Sequence, residues 1–263
     1  DSTLRVWSSI AEKGVWHADA KLRELMGLGQ DTYGRTTIPE GLDIHDGYTF
    51  QRLLTLYKFG DNTLAPHLRK HIGNIEDEYA QYGVRKAVKL YEAGDEGAYE
   101  LIKSAAVRAR ALALEQDPVE NDPIADDASD IAQIFKGISS ALSPSRSESE
   151  RKYAQADISL KYFAQGLLEK GDVEHADEVQ ALMLSKYDTA WLSAQRFALG
   201  YDPDGTHLRS AKEYLAVYGD DGGSHSVEIA DALVCGGDEA MKAEYEVIYD
   251  ASLKSENIDT HTG

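Results

Sequence analysis

Two sets of residues in this chain are spaced in ways that could do chemistry. Oxygen donors fall in two tight runs: the carboxylates of Asp126, Asp127 and Asp130 within DDASD, and the carboxylates of Asp220 and Glu228 with the hydroxyl of Ser224 within DDGGSHSVE. Hard oxygen donors crowded in this way suit a divalent cation. Histidines form the second set. His17 precedes the adjacent pair His45-Asp46, and His67 and His71 follow at i and i+4. On a helix His67 and His71 share a face, and neutral imidazoles there could hold a metal by themselves. Leu68, Arg69 and Lys70 between them make that face read as basic and exposed. A third run, Asp202-Pro203-Asp204-Gly205-Thr206, reads as a turn leading into a helix cap; a calcium loop would need more ligands and a bidentate Glu at its twelfth position.

Nucleophile and phosphate signatures are missing. The sequence has no Gly-x-Ser-x-Gly elbow, no Walker loop and no dinucleotide fingerprint. Its single cysteine, Cys235, excludes an internal disulfide and a multi-cysteine metal site. With Gly236 and Gly237 beside it and no histidine nearby, Cys235 reads as a packed small residue.

The two acidic runs resemble the magnesium motifs of class I terpene cyclases, an all-α family. The resemblance implies Mg²⁺ held against a substrate diphosphate by Asp126, Asp127 and Asp130 on one side and Asp220, Ser224 and Glu228 on the other. Pro123 stands three residues ahead of the first run, and Gly222 and Gly223 interrupt the second. The order of His17, His45-Asp46 and the later histidines resembles the metal-dependent phosphohydrolases of the HD superfamily. That resemblance implies imidazoles and a carboxylate holding a metal that activates water. Pro39 and Gly41 stand close ahead of the His-Asp pair, where that family has an apolar helix. Trp7, the run LRELMGL and the stretch from Tyr48 through LLTLYKFGDNTLAPHL loosely resemble the WY-type helical modules of secreted oomycete effectors, on common residue types.

Helices must position these groups. Gly followed by Asp occurs five times, at Gly60-Asp61, Gly94-Asp95, Gly171-Asp172, Gly219-Asp220 and Gly237-Asp238. Gly ends a helix by entering the left-handed region without a Cβ clash. Asp opens the next by accepting the orphan N–H groups of its first turn. Together they predict the junctions of helical hairpins. Between the junctions apolar residues recur every three or four positions. Tyr153, Ala156, Leu160, Phe163 and Leu167 form one seam. A second stripe, from Val179 through Tyr187 and Trp191 to Phe197, predicts one helix from Asp172 to about Gly200, packed on that seam. No stretch alternates convincingly as a strand, and residues 31–47 read as a long surface loop. The expected fold is all-α: consecutive helical hairpins packed as an irregular bundle or short array, in two lobes. The lobes are expected at 1–114 and 131–263. Residues 115–130, with seven acids, two prolines and no base, are expected to connect them.

Charge narrows the partners. With 27 basic and 46 acidic residues the net charge is −19, which disfavours nucleic acid and anionic membrane surfaces. No apolar run approaches the roughly 20 residues needed to cross a bilayer, so a soluble protein without membrane insertion is expected. Asp1 rather than Met opens the chain, so processing or trimming is expected. Fifteen Tyr against five Phe favour half-buried rings with wet hydroxyls, which suit contact surfaces. The sequence therefore points to a non-catalytic helical interaction or assembly protein that binds a protein partner or copies of itself and needs no cofactor. The alternative is a hydrolase or lyase that uses a divalent metal on the carboxylates or histidines above.

Overall fold

The computed structural model describes residues 2–13, 18–44, 46–116, 148–219 and 224–259. The chain divides into two compact units, Asp1–Arg108 and Ala109–Gly263. Nearly all of the acidic stretch 115–130, expected as a connection, lies outside the described residues.

The first unit is a succession of packed helices: α1 (Ser2–Glu12), α2 (Ala18–Met26), α3 (Gly47–Lys58), α4 (Ala65–Gly73), α5 (Ala80–Glu92) and the start of α6 (Ala98–Gln116). α1 lies on α2 and α3, α3 on α4, and α4 on α5. Leu22, Phe50, Leu53, Leu54, Leu56, Leu68, Ile72, Leu90 and Ile102 are buried between them. Each such side chain contributes about 1.5–3 kcal/mol through removal from water. A Cβ on Gly83 would lie 3.5 Å from that of Ala105, so α5 and α6 approach closely there.

The segment that reads as a surface loop is partly ordered by pairing. A two-residue ladder joins β1 (Gly29–Gln30) to β2 (Thr36–Thr37), with Gly29 opposite Thr37. Thr36 is buried, its N–H donating to Thr63 Oγ1 at 2.9 Å and its hydroxyl to Asp61 at 2.6 Å. These long-range bonds leave no periodic trace in sequence.

The second unit contains α7 (Glu148–Glu169), α8 (Val173–Gln180), α9 (Lys186–Ala198), α10 (Thr206–Tyr218), α11 (Ser224–Cys235) and α12 (Glu239–Asp259). α9 is central, packing on α7, α10 and α11. The single helix expected from Asp172 to Gly200 is therefore two. The break has a clear cause. The buried Asp157 carboxylate on α7 accepts the N–H groups of Leu184 and Ser185 at 2.9 and 3.0 Å, which holds the chain out of helical geometry. Ser185 then caps α9 by accepting from the N–H of Asp188 at 3.1 Å. Both pieces still pack on the α7 seam, as the stripe predicts.

Four Gly-Asp pairs form the expected junctions. Gly60, Gly94, Gly171 and Gly237 have φ of 98°, 103°, 79° and 93°. At each, the Gly N–H donates three residues back and the Asp N–H five residues back, closing the helix as a Schellman motif; Gly171 to Leu168 and Asp172 to Leu167 are typical. Gly219 differs. Its φ is −63°, so it stays right-handed, and Asp220 lies outside the described residues. The helix expected to be capped near Thr206 is capped from further upstream, where Asp202 accepts from the N–H groups of His207 and Leu208 at 3.0 and 2.7 Å.

Three substitutions test this architecture. Asp172 accepts from the N–H of His175, so Asp172→Ala should cost about 1 kcal/mol in chemical denaturation, while Gly171→Val, which forces a β-branched residue to positive φ, should cost more. Trp191 is buried on α9 with its ring edge-on to Tyr162 at 6.5 Å, so Trp191→Ala should cost about 3–5 kcal/mol by the same measurement.

Candidate functional site

A cleft of about 500 Å³ opens between α3 and α5 in the first unit. Asp46, Gly47, Tyr48, Phe50 and Gln51 line one wall, and Tyr82, Arg85, Lys86 and Lys89 line the other. Sequence dictates both walls. Asp46 caps α3, accepting from the Thr49 N–H at 3.2 Å and the Thr49 hydroxyl at 3.1 Å, and so fixes where α3 starts. α5 buries Ala80, Gly83, Val84, Ala87, Val88 and Leu90, which turns Tyr82, Arg85, Lys86 and Lys89 to the other side.

Lys86 is the most constrained group in the cleft. Its Nζ lies 2.8 Å from His71 Nε2 and 5.0 Å from the centre of the Phe50 ring. Phe50 and His71 pack with ring centres 5.7 Å apart. Burial pushes the Lys86 ammonium to a lower pKa, and the carboxylates of Asp46 and Asp43 act in the opposite direction. An ammonium can only donate, so with Lys86 charged His71 accepts at Nε2 and is neutral. Lys89 donates to Gln51 Oε1 at 3.2 Å. Tyr48 and Tyr82 are exposed at the rim, and Tyr79 lies 6.5 Å from Tyr82 between ring centres. This arrangement offers cationic donors to oxyanions and aromatic faces to apolar groups.

The residues singled out from sequence fare differently. His17, His45, Asp126, Asp127, Asp130 and Asp220 lie outside the described residues. Ser224 is the first residue of α11. Asp46 is a helix cap at the cleft. His67 is half-buried on α4, whereas His71, expected on an exposed basic face, is buried. Its imidazole fills the space beside Phe50, while Arg69 and Lys70 take the outer side. Glu228 accepts a hydrogen bond from the Tyr187 hydroxyl, whose pKa burial and that bond push up. Among the described residues, no three His, Cys, Asp or Glu side chains converge as metal ligands. Cys235 is exposed rather than packed. The small residue required there is Gly236, where a Cβ would lie 2.7 Å from Phe197 and 2.9 Å from the backbone of Ala198.

Sequence reading missed a polar network around α9. Arg196 is buried, pairs with Asp177 and donates to Val173 O at 3.1 Å and to His207 Nε2. A guanidinium only donates, so His207 Nε2 accepts and its proton sits on Nδ1, 3.5 Å from Ser193 Oγ. In this tautomer the imidazole has no free lone pair to take a proton from Ser193, so the Ser-His pair is no nucleophile. The residues come from three helices and no local motif marks them.

No known protein family, curated protein or solved structure matches the chain. Among the described residues, no helix is long and apolar enough to cross a membrane.

The network carries a pH dependence. Burial and the Arg196 charge hold the His207 pKa below 6.5, against the pull of Asp202, Asp177 and Asp204. The unfolded chain takes up this proton first, so the contribution is complete above pH 6.5 and is lost as pH falls through the lower folded value. Thermal melts of the protein should show Tm declining from pH 7 to about pH 5, and His207→Gln, which can still accept from Arg196, should flatten that decline. An equal decline in the variant would remove His207 as its source.

Proposed function

We propose that this chain is a non-catalytic helical interaction protein that presents the α3–α5 cleft to a protein partner. One observation carries the reading. Tyr48, Tyr79 and Tyr82 remain exposed around a cleft in which Asp46 and Lys86 already have partners in the fold beneath, Thr49 and His71. Tyrosine and arginine at a partly apolar depression are the composition of interface anchors, which gain most when a partner excludes water from them. Stacked helices joined at rigid junctions hold such a face in a fixed shape, which lowers the ordering cost of association.

The test separates binding from stability. A photo-crosslinking residue at position 82 should give one discrete protein adduct in extract of the native source, and the same residue at exposed position 33 should not. Tyr82→Ala should shift stability by less than about 0.5 kcal/mol in denaturant, because the ring is exposed, and should compete poorly for the adduct. Stoichiometric divalent metal in the purified protein, or a Mg²⁺-dependent rise in Tm, would instead support a hydrolase or lyase.

A further inference from the structure

We infer that the partner segment received by the α3–α5 cleft is acidic: a stretch of glutamates or aspartates that lies between Tyr48 and Tyr82 and places carboxylates on Arg85, Lys86 and Lys89. The inference rests on the protein-binding reading above and adds the chemistry of the partner. Its basis is a local reversal of charge. The chain carries −19 overall, yet this cleft is lined by three cations and one carboxylate, with Asp43 the further carboxylate whose charge reaches Lys86. The lining carboxylate, Asp46, is already turned to the first turn of α3.

The three cations follow from α5 itself. Positions 82, 85, 86 and 89 are spaced three and four apart, so one helix face brings a phenol, a guanidinium and two ammonium groups to one wall. Lys86 is the sensitive member. It is half-buried, with Phe50 under it and His71 holding one of its three donors. An incoming carboxylate would add to the partial support that Asp46 and Asp43 give a charge that burial penalises. Arg85 can grip a carboxylate with two parallel N–H groups, which fixes orientation.

Peptide suits the cleft better than the other anions. The net negative charge works against a polyanion as long as a nucleic acid, and three cations are few for one. Exposed tyrosines on both rims offer more apolar contact than a free phosphate could use. Screening confines the attraction to within about 8 Å at physiological salt, so the recognised element is a segment that enters the cleft, not the overall charge of the partner.

The experiment is fluorescence anisotropy on the full chain with two labelled dodecapeptides, one of alternating Glu and Gly and one of alternating Gln and Gly. The Glu peptide should bind at least about tenfold more tightly than the Gln peptide, because its carboxylates meet paired cations. Arg85→Gln with Lys86→Gln and Lys89→Gln should abolish that preference, and so should Tyr48→Ala with Tyr82→Ala abolish binding of the Glu peptide. Because Lys86 touches His71 and Phe50, Arg85→Gln with Lys89→Gln alone is run beside the triple variant and should lose most of the preference with an unchanged Tm. Equal binding of both peptides, still dependent on Tyr48 and Tyr82, would overturn the acidic assignment and leave the protein-binding reading standing. No peptide binding, with tripolyphosphate raising Tm through the three cations, would overturn both in favour of a small-anion site. Self-association in ultracentrifugation that the triple variant abolishes, without peptide binding, would replace the partner segment by a second copy of the chain.

Discussion

The Gly-Asp junction is the constraint on which both units depend. Its glycine is a local requirement, because only a residue without a Cβ takes the left-handed turn at little cost. At three of the four junctions its aspartate is also a tertiary one, while the Asp172 carboxylate bonds to His175, three residues on. Asp61 is gripped by Arg23 at 2.7 Å, Asp95 by Arg69 at 2.8 Å, and Asp238 by Lys212. In each case the base sits on a helix well upstream, so the end of one hairpin is fastened to an earlier helix. The carboxylates respond accordingly. Burial would raise the Asp61 pKa, but hydrogen bonds from Thr36, Thr63 and Arg23 hold it below the usual range; Lys212 and backbone N–H groups do the same for Asp238. The junction thus converts a chain reversal into a defined spacing between helices.

A different solution holds the middle of the second unit. α9 is packed on three helices, so its polar residues Asp188, Ser193 and Arg196 are buried. Asp188 meets Lys161 of α7 at 3.2 Å, and the same ammonium lies 4.9–5.1 Å from the ring centres of Tyr162, Tyr187 and Trp191. Removing one member of such a pair would strand the other in a dry site, at a cost of about 3–5 kcal/mol. The pair therefore adds a directional contact between α7 and α9 to their apolar packing.

Much of this was legible in sequence, and what was not has physical reasons. The all-α class and four junctions follow from local chemistry, since a left-handed glycine acts within one turn and Asp95, Asp172 and Asp238 accept N–H groups of the turn that follows. Asp61 does not, its carboxylate being taken by Thr36, Thr63 and Arg23. The seam of α7 follows from period alone. The break between α8 and α9 does not, because its cause is Asp157, more than twenty residues earlier in the chain. His71 was misplaced for a related reason: its neighbours Arg69 and Lys70 are basic, yet helical geometry turns the intervening positions to different sides. At Cys235 the expectation of close packing was off by one residue, and the contact belongs to Gly236. In the candidate site, Asp46 was visible as a chemically notable residue. The cations on α5 were not, since three bases in thirteen residues mean little until α3 is seen across from them.

The three rings around Lys161 give the second unit an optical property of its own. Trp191 is the only tryptophan in that unit, since Trp7 and Trp16 belong to the first. Its indole is lodged beside a fixed internal cation and edge-on to Tyr162, so an immobile charge acts on its excited state. Tyr162 and Tyr187 lie within easy range to pass excitation to it. Excitation passed from Tyr162 on α7 to this indole on α9 therefore depends on the two helices staying packed together, whereas transfer from Tyr187 stays within α9.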